Sequence, residues 1–484
     1  MKNDTFVGRK EELGRLSSFL KKKSASLIVV KGRRRIGKSR LIEEFSKGKR
    51  FLRFVGIPPT AKITEQFQRD IFAEQLGKQI ALEGIVAQDW STLFSLLARH
   101  ANSGAVIILF DEISWMGSKD PTFLGKLKNA WDLEFKKNPH LILILCGSVS
   151  TWIEQNIISS TAFFGRISLL LKVEELPLNI CHELLQTRGF RGSTYEVFKI
   201  LGVTGGIPWY LEQMQAGLNA DDNIRDLCFR KDAVLFNEFD RIFHDLFEKR
   251  SKIYRPIVEV LANGSMDFGG ICKRLRFPKS GTLSKYLDDL IEAGFITRDY
   301  TWLVVSGKSS KLSRYRLSDN YLRFYLKYMI SNKDRIFRNG FEGREISSLP
   351  GWSSIMGLQF ENLVLKNRKK IWENLGIKTA DIVADNPYFQ KQTTVRKGCQ
   401  IDYLIQTRFN TLFACEIKFS LNPLQSNIVT EVKDKLACML LPKRFSCWPV
   451  LIHVNGVSDN VQDSGYFSEI IDFSTFLALK DSYL

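Results

Sequence analysis

The octapeptide GRRRIGKS at Gly32–Ser39 constrains this chain more than any other feature, because it fits the pattern G-x-x-x-x-G-K-S without deviation. The apolar run Leu27–Val30 precedes it and favours a buried strand, and Lys38–Phe45 behind it is typical of a helix. Glycines let backbone N–H groups turn towards an anion, and the first turn of the following helix adds a positive dipole. The stretch therefore predicts a phosphate-binding loop in an α/β domain.

The chemistry of such a loop assigns roles to its residues. Lys38 would reach the β- and γ-phosphates of a nucleoside triphosphate, and Ser39 would ligate Mg²⁺. We therefore expect ATP and Mg²⁺ as cofactors. The predicted nucleotide-binding residues here are Gly32, Arg33, Arg34, Arg35, Ile36, Gly37, Lys38, Ser39 and Arg40.

A second apolar run, Ala105–Phe110, ends in the two acids Asp111 and Glu112. In an open α/β sheet, ligands bind at the carboxyl ends of the strands, where these acids would lie. Asp111 is predicted to hold the Mg²⁺ shell, and Glu112 to orient or activate the attacking water. The alternative is a strand that merely ends in acids.

Two later residues are weaker catalytic candidates. Ser148 follows a third apolar run, Leu141–Gly147, and would touch the γ-phosphate or the water; a simple strand-ending turn is the alternative. Arg166 lies in the tripeptide Phe164-Gly165-Arg166 and would bring positive charge to the transferring phosphate, in cis or in a neighbouring copy. An ordinary surface arginine explains it equally well.

Composition limits the class of protein. The eight cysteines form no CxxC pair, and the five histidines form no metal-binding pattern, so we expect reduced thiols in a cytoplasmic protein. No run of 18 uncharged apolar residues indicates a membrane span, and the first residues lack the apolar core of a secretory signal. The net charge of +18 favours nucleic acid as a partner, although a generic solvated surface would also carry it.

Six elements occur in the order FVGRKEEL, GRRRIGKS, LFDEISWM, LCGS, FGR and GIP. In this order they resemble the AAA+ ATPases, and most of all the archaeal-type ATPases related to the STAND NTPases and to the Orc1/Cdc6 initiators. The similarity spans about residues 1–250. It implies that Val7, Gly8 and Arg9 contact or flank the adenine, and that Pro208 borders the nucleotide at the start of a helical lid. Ser148 stands where many relatives carry asparagine.

Residues 251–318 show three helical patterns followed by a hairpin pattern, with Ser280 as the predicted N-cap of the third helix. This order resembles a winged helix-turn-helix. The residues predicted to contact DNA are Lys273, Arg274, Arg276, Lys279, Ser280, Thr282, Ser284 and Lys285. Such modules also bind proteins, and Asp288 and Asp289 would weaken a DNA-binding face.

The last segment carries a second set of reactive residues. Asp402 lies in one predicted strand, and Glu416 and Lys418 in the next, in the pattern D…E-x-K. Side chains alternate along a strand, so Glu416 and Lys418 would share a face that Asp402 on the neighbouring strand can meet. The two carboxylates would bind Mg²⁺ or Mn²⁺, and the lysine would act on the attacking water. Glu361, in a predicted helix, would complete the acidic cluster.

This pattern resembles the PD-(D/E)xK nucleases and the nuclease-like domain that follows many archaeal-type ATPases. The overall expectation is an α/β protein with five segments: a P-loop AAA+ ATPase core (1–175), a helical lid (176–250), a winged helix-turn-helix (251–318), a helical linker (319–345) and a restriction-endonuclease-like domain (346–484). DNA is the expected partner; a homo-oligomer and a protein partner at the winged helix stay open. The alternative function is an ATP-switched signalling or scaffold protein whose C-terminal domain is an inert binding module.

Overall fold

The chain divides after Glu175 into two units, each with its own five-stranded sheet. The computed structural model describes residues 5–60, 62–148, 150–247, 251–392, 394 and 397–478. The first unit comprises the residues up to Glu175 together with 244–247. The second comprises Leu176–Phe243 and the residues from 251 onward.

The sheet of the first unit is parallel. Its strands are β1 (Ser26–Lys31), β2 (Arg50–Val55), β3 (Val106–Asp111), β4 (Leu141–Gly147) and β5 (Ile167–Lys172). They lie in the order β2-β3-β4-β1-β5. The central strands β1, β3 and β4 are buried along their whole length, which explains their unbroken apolar sequences.

Helices pack on this sheet around an aromatic cluster in which the rings of Phe54 and Phe72 stack with centroids 4.3 Å apart. Trp90 and Phe94 belong to the same core. The helices are α1 (Lys10–Ser17), α2 (Lys38–Ser46), α3 (Glu65–Ile80), α4 (Trp90–His100), α5 (Ile113–Met116), α6 (Phe123–Leu133) and α7 (Ser150–Ile153).

The second unit begins with helices. Ser193 and Glu196 form a capping box that fixes the start of the second of them, because each side chain accepts a hydrogen bond from the backbone N–H of the other residue. The helices are α8 (Leu178–Thr187), α9 (Thr194–Thr204), α10 (Pro208–Leu211), α11 (Ala220–Cys228) and α12 (Glu238–Phe247), and the last residues of α12, 244–247, belong to the first unit.

Three helices and an antiparallel hairpin follow, in the order that the sequence predicts. They are α13 (Ser251–Leu261), α14 (Phe268–Leu275), α15 (Gly281–Glu292), β6 (Ile296–Trp302) and β7 (Ser309–Leu317). Ser280 occupies the N-cap position of α15, as predicted, but its side chain makes no capping hydrogen bond. Asp289 is half-buried and accepts a hydrogen bond of 2.5 Å from the hydroxyl of Tyr254, so it adds less to the exposed face than expected.

The C-terminal sheet is mixed. Four helices of the described ranges lead to it: α16 (Asn320–Phe324), α17 (Lys333–Phe337), α18 (Trp352–Lys366) and α19 (Arg368–Asn374). Its strands are β8 (Ile382–Gln390), β9 (Cys399–Thr407), β10 (Thr411–Ile417), β11 (Ser446–His453) and β12 (Glu469–Asp472), with α20 (Asn427–Ala437) and α21 (Asp459–Asp463) in its connections. The order is β12-β11-β10-β9-β8, with β8 to β10 antiparallel and β10 to β12 parallel.

The hairpin β6–β7 shares an apolar core with this sheet. Trp302 and Val304 pack in one cluster with Tyr388 and Leu404. The indole N–H of Trp302 donates to Gln406 Oε1 over 2.5 Å, and Gln406 Nε2 donates to the carbonyl of Val304 over 2.8 Å. The hairpin of the predicted winged helix-turn-helix therefore packs against the C-terminal sheet.

Candidate functional sites

The phosphate-binding loop connects β1 to α2, as predicted. A side chain at Gly32 would collide with the carbonyl oxygen of Val173, and Gly37, the N-cap of α2, has a φ of 87° that favours glycine. The buried ammonium group of Lys38 donates to the carbonyls of Gly32 (2.9 Å) and Arg33 (3.0 Å). The loop thus folds around the lysine that would meet the phosphates.

Arg9 ties the N-terminal segment to this loop. Its guanidinium is buried and donates to the carbonyls of Ile36 (3.1 Å) and Glu174 (2.6 Å), and it pairs with Glu12 at 2.8 Å. Arg9 therefore fastens the loop to the chain that leaves β5. Contact of Val7, Gly8 and Arg9 with an adenine stays a prediction.

The acids at the end of β3 lie at the same sheet edge as the loop, because β1, β3 and β4 run parallel and β4 lies between the other two. Asp111 is buried. Glu112 has a φ of 51°, and its carboxylate accepts hydrogen bonds from the backbone N–H (3.1 Å) and the hydroxyl (2.9 Å) of Ser148. Ser148 thus holds the residue predicted to act on the water.

Arg53 is an ion-pair partner of Asp111 that the sequence did not indicate. It lies in β2, and its guanidinium contacts Asp111 Oδ2 at 3.0 Å and also Glu43 in α2. The charge of Arg53 offsets that of a buried carboxylate at this edge. An arginine within the apolar sequence FLRFV was the signal available, but its partner depends on the strand order.

Arg166 is engaged elsewhere in the described structure. Its guanidinium forms a bidentate pair with Asp132 of α6, with Nε at 3.0 Å from Oδ1 and Nη2 at 2.8 Å from Oδ2. The bound guanidinium holds the pKa of Asp132 below its usual range. A role for Arg166 at a phosphate requires release from Asp132 and stays a prediction. Pro208 begins α10 in the second unit.

The loop and its neighbours fit a nucleotide with a divalent cation. Ser39 lies in the first turn of α2, and Asp111 presents a buried carboxylate at the same sheet edge. Hydroxyl and carboxylate oxygens are ligands that Mg²⁺ accepts beside phosphate oxygens.

A second site lies in the C-terminal sheet, where the antiparallel strands β9 and β10 bring Asp402 and Glu416 together. Asp402 Oδ2 accepts a hydrogen bond of 3.0 Å from the backbone N–H of Ile417. Burial, with the nearby charge of Glu416, raises the pKa of Asp402. The two predicted acids therefore lie next to each other, as the D…E-x-K pattern requires.

Two lysines contact these acids. Lys418 Nζ lies 3.1 Å from Glu416 Oε1 and 3.3 Å from Glu431 Oε2. Lys435 of α20 contacts Glu416 and lies 3.4 Å from Asp402 Oδ1. The ammonium of Lys435 therefore pairs with both carboxylates, and metal binding by this pair stays a prediction. The sequence reasoning missed Lys435.

Glu361 of α18 is close enough for the charge of Asp402, together with burial as the larger cause, to raise the pKa of Glu361 to about 7. Within the described ranges, no group of three or more His, Cys, Asp or Glu side chains is arranged to hold a metal ion. The predicted three-carboxylate cluster is therefore not found, and a metal role for Glu361 stays a prediction that this geometry does not favour.

The residues predicted to contact DNA lie mainly on the surface of α14 and α15. Those exposed are Lys273, Arg274, Arg276, Lys279, Thr282 and Lys285, whereas Ser280 and Ser284 are half-buried. The exposed cations are accessible to phosphates, and their contact with DNA stays a prediction.

Comparison with known proteins concerns mainly the part of the chain that carries the first site. Residues 6–214 match the model of a family described as an ATPase domain predominantly from Archaea, and this range includes the loop, Asp111 and Glu112. ATP binding and hydrolysis are thus supported for this part of the chain. An uncharacterized protein of Methanocaldococcus jannaschii is 28% identical over 358 residues, which are 74% of this chain and 76% of that protein.

Two solved structures are similar in outline. The Walker-type ATPase of Pyrococcus abyssi has a TM-score of 0.47 at 16% identity and covers 67% of this chain and 97% of its own. The ORC2 protein of Aeropyrum pernix, in ADPNP and ADP complexes, has a TM-score of 0.43 at 12% identity and covers 70% of this chain and 98% of its own. Of the helices in the described ranges, none is both long and apolar enough to cross a bilayer.

Proposed function

We propose that this protein is a P-loop ATPase that binds DNA and cleaves its phosphodiester bonds at a metal-dependent nuclease centre in the C-terminal sheet. The placement of Asp402 and Glu416 side by side on β9 and β10, with Lys418 Nζ 3.1 Å from Glu416, carries the nuclease part of the proposal. The family match over residues 6–214 supports the ATPase part.

At the ATPase site, Lys38 binds the β- and γ-phosphates, and the backbone of the loop surrounds them. Ser39 and Asp111 hold Mg²⁺, which offsets phosphate charge when bound. Glu112 accepts the proton of the attacking water or orients it, and the hydrogen bonds from Ser148 fix the direction of its carboxylate.

At the nuclease centre, Asp402 and Glu416 hold Mg²⁺ or Mn²⁺, which polarises the scissile phosphate when bound. Lys418 orients the attacking water and stabilises the charge that develops on it. Lys435 must leave at least one carboxylate when a metal ion binds, since its ammonium contacts both.

DNA is the proposed substrate because the basic charge is concentrated in one part of the chain. Residues 251–345 carry +8 of the total +18, and several of their cations are exposed on α14 and α15. Lysine and arginine on one surface neutralise phosphates and release counterions, which drives binding without sequence preference.

The ion pairs of Lys435 also favour a second candidate function. If this lysine permanently neutralises Asp402 and Glu416, the domain is an inert binding module, and the protein is an ATP-switched scaffold.

Cleavage assays distinguish the two functions. Linear, circular, single-stranded and branched DNA are incubated with the full chain in Mg²⁺ or Mn²⁺, with and without ATP. The proposal predicts cleavage by the wild type and by Asp459→Ala, a control at an exposed carboxylate of the same domain, and none by Asp402→Ala. The scaffold function predicts cleavage in none of these samples.

A further inference from the structure

A cleft separates strand β7 of the hairpin from strands β8 and β9 of the C-terminal sheet. Its wider part has a volume of about 390 Å³ and is lined by Arg314, Phe389, Lys391 and Gln400, among others. A narrower part shares Arg314, Phe389 and Gln400 with it and reaches Glu361 and Asp402. This narrower part has a volume of about 20 Å³, so the cleft ends beside Asp402, one of the two carboxylates of the proposed nuclease centre.

The walls of this cleft follow from strand alternation. Gln400 and Asp402 are two residues apart on β9 and face it together, as do Arg314 and Arg316 on β7. Arg316 is buried and already paired with Asp299 at 2.8 Å. The cation that β7 offers to a ligand is consequently Arg314.

Arg314 and Phe389 together form a platform of the kind that binds nucleotides. The guanidinium of Arg314 lies 5.7 Å from the centroid of the Phe389 ring and donates to Gln400 Oε1 over 3.1 Å. Phe389 is only half-buried, although it is aromatic and lies in a strand. Proteins that bind single strands combine cations along the backbone with aromatic rings on which bases stack.

The width of the cleft is fixed by the core behind it. The hydrogen bonds between Trp302, Gln406 and the carbonyl of Val304 hold the hairpin to the sheet, and the apolar cluster around Tyr388 packs on the same contact. A space of about 390 Å³ is in the lower part of the range of ~300–1,000 Å³ for small-ligand pockets. It accommodates a nucleotide unit and is too small for a duplex.

We propose that this cleft is the substrate entrance of the nuclease centre and that it takes one DNA strand, with a base stacked on Phe389 and a phosphate bound by Arg314. This inference rests on the proposed nuclease function and specifies its substrate as single-stranded DNA or the unpaired end of a duplex. Strand binding itself needs neither metal nor cleavage, so it is measurable separately.

The test measures binding of the full chain to a fluorescein-labelled 20-nucleotide dT strand, and to a 20-base-pair duplex, by fluorescence anisotropy in EDTA. Phe389→Ala should weaken strand binding about 5- to 150-fold, the loss expected for one stacked base. Arg314→Ala should also weaken strand binding and should reduce the slope of log K against log salt by about 0.7, the value for one phosphate contact on a single strand. Phe389→Trp and Arg314→Lys should retain most of it. Lys311→Ala, which removes an exposed cation from the same strand, should leave it within about twofold.

The outcomes separate this inference from the proposed function. If Phe389→Ala and Arg314→Ala bind the strand as tightly as the wild type does, the cleft is not a single-strand entrance, whatever the cleavage assay gives. The same conclusion follows if the two variants lose as much affinity for the duplex as for the strand. If both variants lose strand binding and their rescue variants keep it, the cleft assignment holds, even where the absence of cleavage overturns the nuclease.

Discussion

The hydroxyl of Ser148 donates a hydrogen bond of 2.9 Å to the carboxylate of Glu112, and the backbone N–H of Ser148 donates another of 3.1 Å. Glu112 adopts a φ of 51°, so both the backbone and the side chain of this residue are constrained. A residue that the sequence suggested as a phosphate contact thus acts in this structure on the predicted catalytic acid.

Glu112→Gln should keep ATP bound and stop its hydrolysis, because only the group that acts on the water is lost. Ser148→Ala should lower kcat by less, since one backbone hydrogen bond still orients Glu112. Nucleotide binding and steady-state hydrolysis are measured together, with Glu134→Gln of the same unit as a control. Hydrolysis of ATP by Glu112→Gln at the wild-type rate would show that Glu112 does not act on the attacking water.

Arg9→Ala should weaken ATP binding and destabilise the first unit by about 2–4 kcal/mol, because two carbonyls and Glu12 lose a buried charged partner. Urea unfolding and ATP titration give the two values. Arg15→Ala, an exposed change in the helix that follows, should alter both little. Equal effects of the two substitutions would show that Arg9 does not fasten the loop.

DNA binding should weaken steeply as the salt concentration rises, because phosphate neutralisation releases counterions. Replacing Lys273, Arg274 and Lys279 together by alanine should lower affinity and reduce the slope of log K against log salt by about 2–3. Replacement of Lys21–Lys23, an exposed triplet of equal charge, serves as the control. An unchanged slope for the first triplet would place the DNA surface elsewhere.

Lys435→Met should tighten metal binding severalfold, because it removes the ammonium that competes for Asp402 and Glu416. Isothermal titration with Mn²⁺ checks this without requiring activity. Lys433→Met, on the same helix with its ammonium over the ring of Tyr466, should bind the metal as the wild type does. Weaker binding by Lys435→Met would mean that this lysine supports the site.

Local patterns predicted the elements that carry each site. The strands expected at 27–30, 105–110 and 141–147 are found as β1, β3 and β4, and the helix expected behind the loop is α2. Buried central strands read as unbroken apolar runs, and the loop motif needs only eight consecutive residues. Such features can be predicted because they depend on residues that are close together in the sequence.

Contacts between distant residues were not predictable in the same way. Arg53 and Asp111 are 58 residues apart, and Trp302 and Gln406 are 104 apart, so each contact depends on strand order and register. Lys435 meets Asp402 only because α20 packs beside β9. The hairpin pattern likewise does not reveal that β6 and β7 pack against the C-terminal sheet.

Cleavage of linear, circular, single-stranded and branched DNA in Mn²⁺ by the wild type, Asp402→Ala, Glu416→Ala and Lys418→Ala tests the central claim most directly. The two carboxylate variants should lose both metal binding and cleavage, whereas Lys418→Ala should lose cleavage and keep most of the metal binding, since it acts on the water. ATP hydrolysis should survive all three changes. Cleavage by Asp402→Ala at the wild-type rate, or none by the wild type under any nucleotide, would contradict the account.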